Sequence, residues 1–312
     1  MTITPKPNTV SAISFDALDR ASLDAQLSPS RSAKAPLEVL NAHVTQTSGL
    51  LANPNLSCQL DIAYGSDPRQ SMDVYRPCLA ADVEKNNPQT HPTPLPCLIF
   101  IHGGFWQEGG KAGSGFTAEK LVDRGWAQIS MEYRLAPQVG LAEIIQDIAS
   151  GLMKVVELSD RLGIDRNRLV IAGHSAGAQL AAAILCGLGE VNPAIIDAIH
   201  GLILVSGVYD LNPVAASYVN DLVAMDGTDI ANLSPLFYQP LKNIPVHILI
   251  GEDEPSAFSQ QSQALYQAWD PLLDRIVLDR LPGCDHFDIL NEIIRSSLLH
   301  NSQNYPISIL TR

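Results

Sequence analysis

The sequence predicts one large α/β domain whose mostly parallel sheet is covered by helices on both faces, and three observations carry that reading. Leu98-Ile99-Phe100-Ile101, Leu202-Ile203-Leu204-Val205 and Val246-His247-Ile248-Leu249-Ile250 are strand-length, largely apolar runs of the kind buried on both faces of a sheet. They alternate with helical patterns, the longest being Leu141–Leu162, where Leu141, Ile144, Ile145, Ile148, Leu152, Val155 and Val156 fall at helical spacing. Between them, Gly173-His174-Ser175-Ala176-Gly177 joins the apolar run Leu169–Ala172 to the alanine-rich run Gln179–Leu185, a strand, a sharp turn and a helix in succession. Repeated β–α units imply a parallel sheet. With 312 residues, 46% of them hydrophobic and 17% charged, the chain can bury a sizeable core.

In order along the chain, residues 1–57 lack strand-like alternation. Short helical runs such as Ser14–Leu18 and Pro36–Leu40 are broken by Ser, Pro and Asn turns, so this part reads as an N-terminal helical segment packed on the main domain, residues 58–312. Cys58–Tyr64 and Met72–Tyr75 read as short strands joined by the Gly65-Ser66-Asp67-Pro68 turn, and residues 76–96 as a proline-rich surface loop. After the Leu98 strand come a helix at Ser114–Arg124, a strand at Trp126–Glu132, the long helix, the Leu169 strand and its turn, and the Leu202 strand. Residues 211–243, rich in Asn, Pro and Ser with two short helical pieces, read as an insertion or cap over the site. The Val246 strand, a helix at Phe258–Trp269, a last strand at Arg275–Leu278 and a closing helix at Phe287–Leu299 complete the domain.

Charge and cysteine usage narrow the function classes. A net charge of −13 argues against nucleic-acid partners and anionic membrane surfaces. The opening Met1–Pro7 lacks the apolar core of a signal peptide, and no run approaches a membrane span, so a soluble cytoplasmic protein acting on a small molecule is expected, with a homodimer compatible with it. Cys58, Cys78, Cys97, Cys186 and Cys284 are an odd number without Cys-x-x-Cys spacing, which predicts reduced thiols rather than disulfides or a zinc cluster.

The chemistry centres on Ser175. A serine on so sharp a turn needs small residues two before and two after it, and Gly173 and Gly177 supply them. Its hydroxyl then projects from the carboxyl edge of the sheet, and the N–H of Ala176 at the helix start points at any oxyanion formed on an attacked carbonyl. His102-Gly103-Gly104-Phe105-Trp106 follows a buried strand, so the N–H groups of Gly103 and Gly104 form the other half of an oxyanion hole. Partners for the serine must stand just after a strand. Of eight histidines, His286 alone follows the final strand in a short turn before a helix. His102 shapes the oxyanion loop, His174 points away from the serine, and His43, His91, His200, His247 and His300 are structural. Three carboxylates in a row, Glu252, Asp253 and Glu254, follow the Val246 strand; Asp253 is favoured as the acid, with Glu254 and Asp210 behind it. Phe105, Trp106 and Tyr209 are candidates for an aromatic substrate wall, although each also suits a core. Asp285-His286-Phe287-Asp288 contains ligand-type side chains but no second histidine at helical spacing, which disfavours a metal site.

Taken together, these pieces resemble the kynurenine formamidase (arylformamidase) branch of the α/β-hydrolase superfamily. The resemblance covers most of the chain: Leu23–Ser30, Met72–Tyr75, His102–Trp106, Gly173–Gly177, Ser206–Leu211 with Val219-Asn220 and Ser234-Pro235, Asp253–Phe258 with Gln261-Ser262, and Asp285–Phe287. It departs at Leu27 and Phe105, where relatives often carry tyrosine, and in the long 76–96 loop. The resemblance implies an α/β-hydrolase fold, Asp253 of an Asp-x-Pro piece as the triad acid, and hydrolysis of N-formylkynurenine to kynurenine and formate without metal or organic cofactor. A carboxylesterase of short acyl esters shares the same motifs and is the alternative; a non-catalytic binding protein would usually lack the serine or the histidine.

Overall fold

The computed structural model describes residues 3–15, 17–78 and 93–299. Eight strands, β1 Leu56–Ala63, β2 Ser71–Pro77, β3 Leu95–Ile101, β4 Ala127–Met131, β5 Ile164–His174, β6 Ile199–Val205, β7 Val246–Gly251 and β8 Ile276–Leu281, form one sheet in the order β1-β2-β4-β3-β5-β6-β7-β8. The pairs β1–β2 and β2–β4 are antiparallel and the remaining pairs are parallel. The apolar runs fold this way because both faces are covered. On β3, Cys97, Ile99 and Ile101 enter the larger core cluster while Leu98 and Phe100 enter the one on the opposite face, so every position of the strand is apolar.

Helices α1 Arg20–Gln26, α2 Pro29–Ser32 and α3 Pro36–Gly49 lie in the N-terminal segment, which docks through several polar contacts. Pro7 bridges to Tyr238, the Ile13 N–H donates to Asp210 (2.6 Å), and His43 stacks on Phe116 at 4.1 Å. Helix α4, Ala118–Val122, is shorter than the expected Ser114–Arg124, because Gly115 N–H donates to Thr47 Oγ1 and the Ser114 carbonyl accepts from Gln128 Nε2, which withdraws those groups from a helix. Helix α5, Leu141–Leu162, has the bounds its spacing predicts and ends at Gly163 in the left-handed conformation (φ 67°). Helix α6, Ala176–Leu185, is buried on all sides, which accounts for its alanine-rich, apolar composition.

After α7, Pro193–Ala198, the 211–243 region holds three short helices rather than two, α8 Leu211–Ala215, α9 Asn220–Val223 and α10 Gly227–Leu233. Asp210 and Asp226 cap the first and third, side chain to backbone N–H. Helix α11 is Ser256–Trp269. The expected closing helix is instead a pair of 3-10 segments, Asp288–Arg295 and Ser297–Leu299. The greater part of the proposed 76–96 loop, residues 79–92, together with Asp16, His91 and His300, lies outside the described residues.

Candidate active site

The turn after β5 shows why glycine must flank the serine. Ser175 has φ 54° and ψ −119°, and its N–H donates to the Val205 carbonyl at 2.8 Å. A Cβ on Gly173 would overlap the carbonyl oxygen of Gly177, and one on Gly177 would overlap that of Ile101. Ser175 therefore sits where strand and helix approach as closely as backbones allow, and Ala176, the first residue of α6, has an N–H not consumed by the helix.

The loop after β3 is packed against that turn. A Cβ on Gly103 would lie 3.0 Å from Ser175 Cβ, so only glycine lets the main chain come this near the serine. Gly104 has φ 113° and begins a turn in which its carbonyl accepts from Gln107 and Glu108. His102 braces the loop: Nδ1–H donates to the Gly103 carbonyl (2.8 Å) and the ring stacks on Tyr133 at 4.1 Å, while Tyr133 Oη donates to the His102 carbonyl. Six non-glycine residues have positive φ among those described, and four of them, Phe105, Trp106, Ser175 and Ser206, stand in loops at this end of the sheet, where backbone strain is concentrated.

His286 pairs with a buried carboxylate. Nδ1–H of His286 donates to Glu254 Oε2 at 2.6 Å, with both side chains out of solvent. The other carboxylate oxygen, Oε1, accepts from Ser206 Oγ (2.5 Å) and from the Gly251 N–H (2.8 Å). The acid that touches His286 is thus Glu254 and not Asp253. Asp253 turns outward to an ion pair with Lys34 Nζ (2.8 Å), its side chain 42% exposed. Asp210 is buried but committed elsewhere, accepting from Ile13 and Asn212. The cause is the turn after β7: the Glu254 side chain folds back onto Gly251 N–H, which turns its neighbour to the surface.

His174, expected to be uninvolved, links the two loops. Its Nε2–H donates to the His286 carbonyl at 2.8 Å, and the two rings lie 4.7 Å apart. Burial, reinforced by the nearby His286, holds the His174 imidazole well below its ordinary value, so it is neutral with one N–H, as that bond requires. Phe258 covers His286 at 4.5 Å, and Phe105 approaches Phe258 at 6.4 Å. Of the three aromatic residues expected at the substrate, Phe105 alone presents surface. Trp106 and Tyr209 are 0% exposed and belong to the core, Trp106 donating from Nε1 to Gln179. Ser206 and His174 escaped sequence reasoning, although Ser206 satisfies the same rule, a polar residue just after a parallel strand, that singled out His286. Among the described residues no group of three or more His, Cys, Asp or Glu is placed to hold a metal ion.

Comparison with known proteins agrees with this architecture. The chain is 27% identical over 297 residues to the kynurenine formamidase of Danio rerio, covering 91% of this chain and 95% of the relative, and 28% identical over 287 residues to that of Salmo salar, covering 89% and 92%. The chain has an α/β-hydrolase fold and is similar to kynurenine formamidases along nearly its whole length. A family profile described as BD-FAE matches residues 83–203 of this hydrolase. A solved structure from Silicibacter, described only provisionally as a thioesterase, superposes with a TM-score of 0.74 at 24% identity, covering 89% of this chain and 97% of that one, which shows the shared fold.

Proposed function

We propose that this hydrolase cleaves N-formyl arylamides, N-formylkynurenine foremost, by serine catalysis. The single observation that carries the reading is the hydrogen bond from His286 to the buried Glu254, on a loop that His174, the residue before the serine on its strained turn, ties through the His286 carbonyl. Similarity to kynurenine formamidases along nearly the whole chain supports the choice of substrate.

In this mechanism His286 Nε2 takes the Ser175 proton as Oγ attacks the formyl carbonyl, and Glu254, fixed by Ser206 and Gly251, steadies the imidazolium. The tetrahedral oxyanion receives hydrogen bonds from the N–H groups of Gly103, Gly104 and Ala176. The imidazolium returns its proton to the departing aromatic amine, whose nitrogen leaves more readily than an alkyl amine. Water, deprotonated by His286, then attacks the formyl-serine and releases formate. In this reading Phe105, the partly exposed one of the three aromatic candidates, meets the aryl ring. No helix among the described residues is long and apolar enough to cross a membrane.

The decisive measurement compares kcat/KM for N-formylkynurenine with that for a short nitrophenyl ester. A larger value for the formamide is expected; a ratio strongly favouring the ester would replace the formamidase reading with a carboxylesterase.

A further inference from the structure

The N-terminal segment reaches both loops that carry the histidine and its acid. Gln26 Oε1 accepts from Ser256 Oγ (2.9 Å) and from the Ala257 N–H (3.3 Å), just after Glu254-Pro255. Lys34 Nζ donates to Asp253 Oδ2 (2.8 Å), just before Glu254, and to the Gly283 carbonyl (3.2 Å). The Lys34 N–H donates to Asp285 Oδ2 (3.0 Å), just before His286. Asp285 Oδ1 in turn accepts from the Phe287 and Asp288 N–H groups (2.9 and 3.2 Å), so the same carboxylate shapes the turn around His286.

We propose that the Gln26–Lys34 stretch is a positioning element of the active site, with Lys34 and Gln26 setting the separation of Glu254 from His286; this rests on the serine-hydrolase reading above. The physical need is plain. Glu254 and His286 stand on different loops, and a misplacement of about 1 Å between reacting groups can cost on the order of a hundredfold in rate. Loops are mobile unless tied. The stretch ties the acid on both of its sequence sides and the histidine loop on one. The hydrogen bonds of the Gln26 and Lys34 side chains run to the Asp253–Ala257 turn and to Gly283, not to Ser175 or the oxyanion glycines, so their contribution falls on the rate of the chemical steps and is independent of what the acyl or leaving group is.

The test measures full-length Lys34→Met, Gln26→Ala and the double variant on a short nitrophenyl ester and on an aryl formamide, with Arg20→Ala as control. Lys34 is largely exposed, so Lys34→Met is expected to lower kcat about fivefold and the double variant about thirtyfold, equally for both substrates, with KM within about twofold. Lys34→Arg restores most of the loss, and Arg20→Ala changes nothing beyond about twofold. A substrate-free readout accompanies these: the low-field proton resonance of His286 Nδ1–H is expected to broaden or move upfield in the double variant and to stay put in Arg20→Ala. An unchanged kcat in the double variant, a loss confined to KM, or an undisturbed Nδ1–H resonance overturns the proposal. A parent protein inactive on both substrates would instead count against the hydrolase reading, and the resonance would still decide this one.

Discussion

His286 Nδ1 lies 2.6 Å from Glu254 Oε2, while Asp253, one residue earlier, faces solvent and Lys34. The difference between these adjacent carboxylates predicts opposite outcomes. Glu254→Ala removes the group that orients and charges against His286, and kcat is expected to fall about a thousandfold or more, close to the loss from Ser175→Ala. Asp253→Asn costs about tenfold at most, since only a surface ion pair is lost. Steady-state kinetics on a nitrophenyl ester checks both; equal losses would undo the assignment of the acid.

Ser206 gives a second, finer prediction. Its hydroxyl is one of two donors to Glu254 Oε1, the other being the Gly251 N–H. Ser206→Ala leaves the main-chain donor in place, so the acid stays near its position but turns more freely. A hydrogen bond to a charged group contributes about 1.5–3 kcal/mol, which sets the expected fall in kcat at about ten- to a hundredfold, with KM little changed. Circular dichroism on the same sample separates this from misfolding.

The sheet and the serine were legible in the sequence for a physical reason: a strand buried on both faces has no freedom to be polar, and a turn with overlapping backbones has no freedom to be anything but glycine. Leu98–Ile101 and Gly173–Gly177 are those cases. Which carboxylate meets His286 was not legible, because three carboxylates in succession are equivalent until the chain folds back and one of them meets Gly251 N–H. The same holds for Trp106 and Tyr209, whose aromatic character suits a core as well as a pocket and which pack inward. At the C-terminal end, the burial of Ile289, Leu290 and Ile293 is equally compatible with α-helical and 3-10 turns, so a helix was expected where 3-10 segments stand.

The close approach at the serine turn makes a stability prediction. A Cβ at residue 177 would overlap the Ile101 carbonyl, which is backbone and cannot step aside. Gly177→Ala is therefore expected to cost about 4 kcal/mol or more, in the range reserved for severe steric defects, and to be recovered mainly as insoluble protein. By contrast Gly125→Ala meets no neighbour within 4 Å, and its positive φ of 76° is expected to cost only about 1–2 kcal/mol. Solubility and thermal melting of the two variants side by side check the contrast.

The neutral His174 predicts how stability follows pH. Burial holds its folded value well below the ordinary 6.5, and that residue in the unfolded chain takes up a proton first as pH falls. Its contribution is therefore fully present above about pH 6.5 and is lost progressively as the solution is acidified below that point. His43, depressed by burial in the same direction, adds to the loss, so the comparison must be made between variants. His174→Gln abolishes the titration while its amide keeps an N–H that can reach toward the His286 carbonyl. The difference in melting temperature between pH 7.5 and pH 5.5 is expected to be smaller in this variant than in the parent. An equal drop in both would mean that His174 does not couple folding to protons.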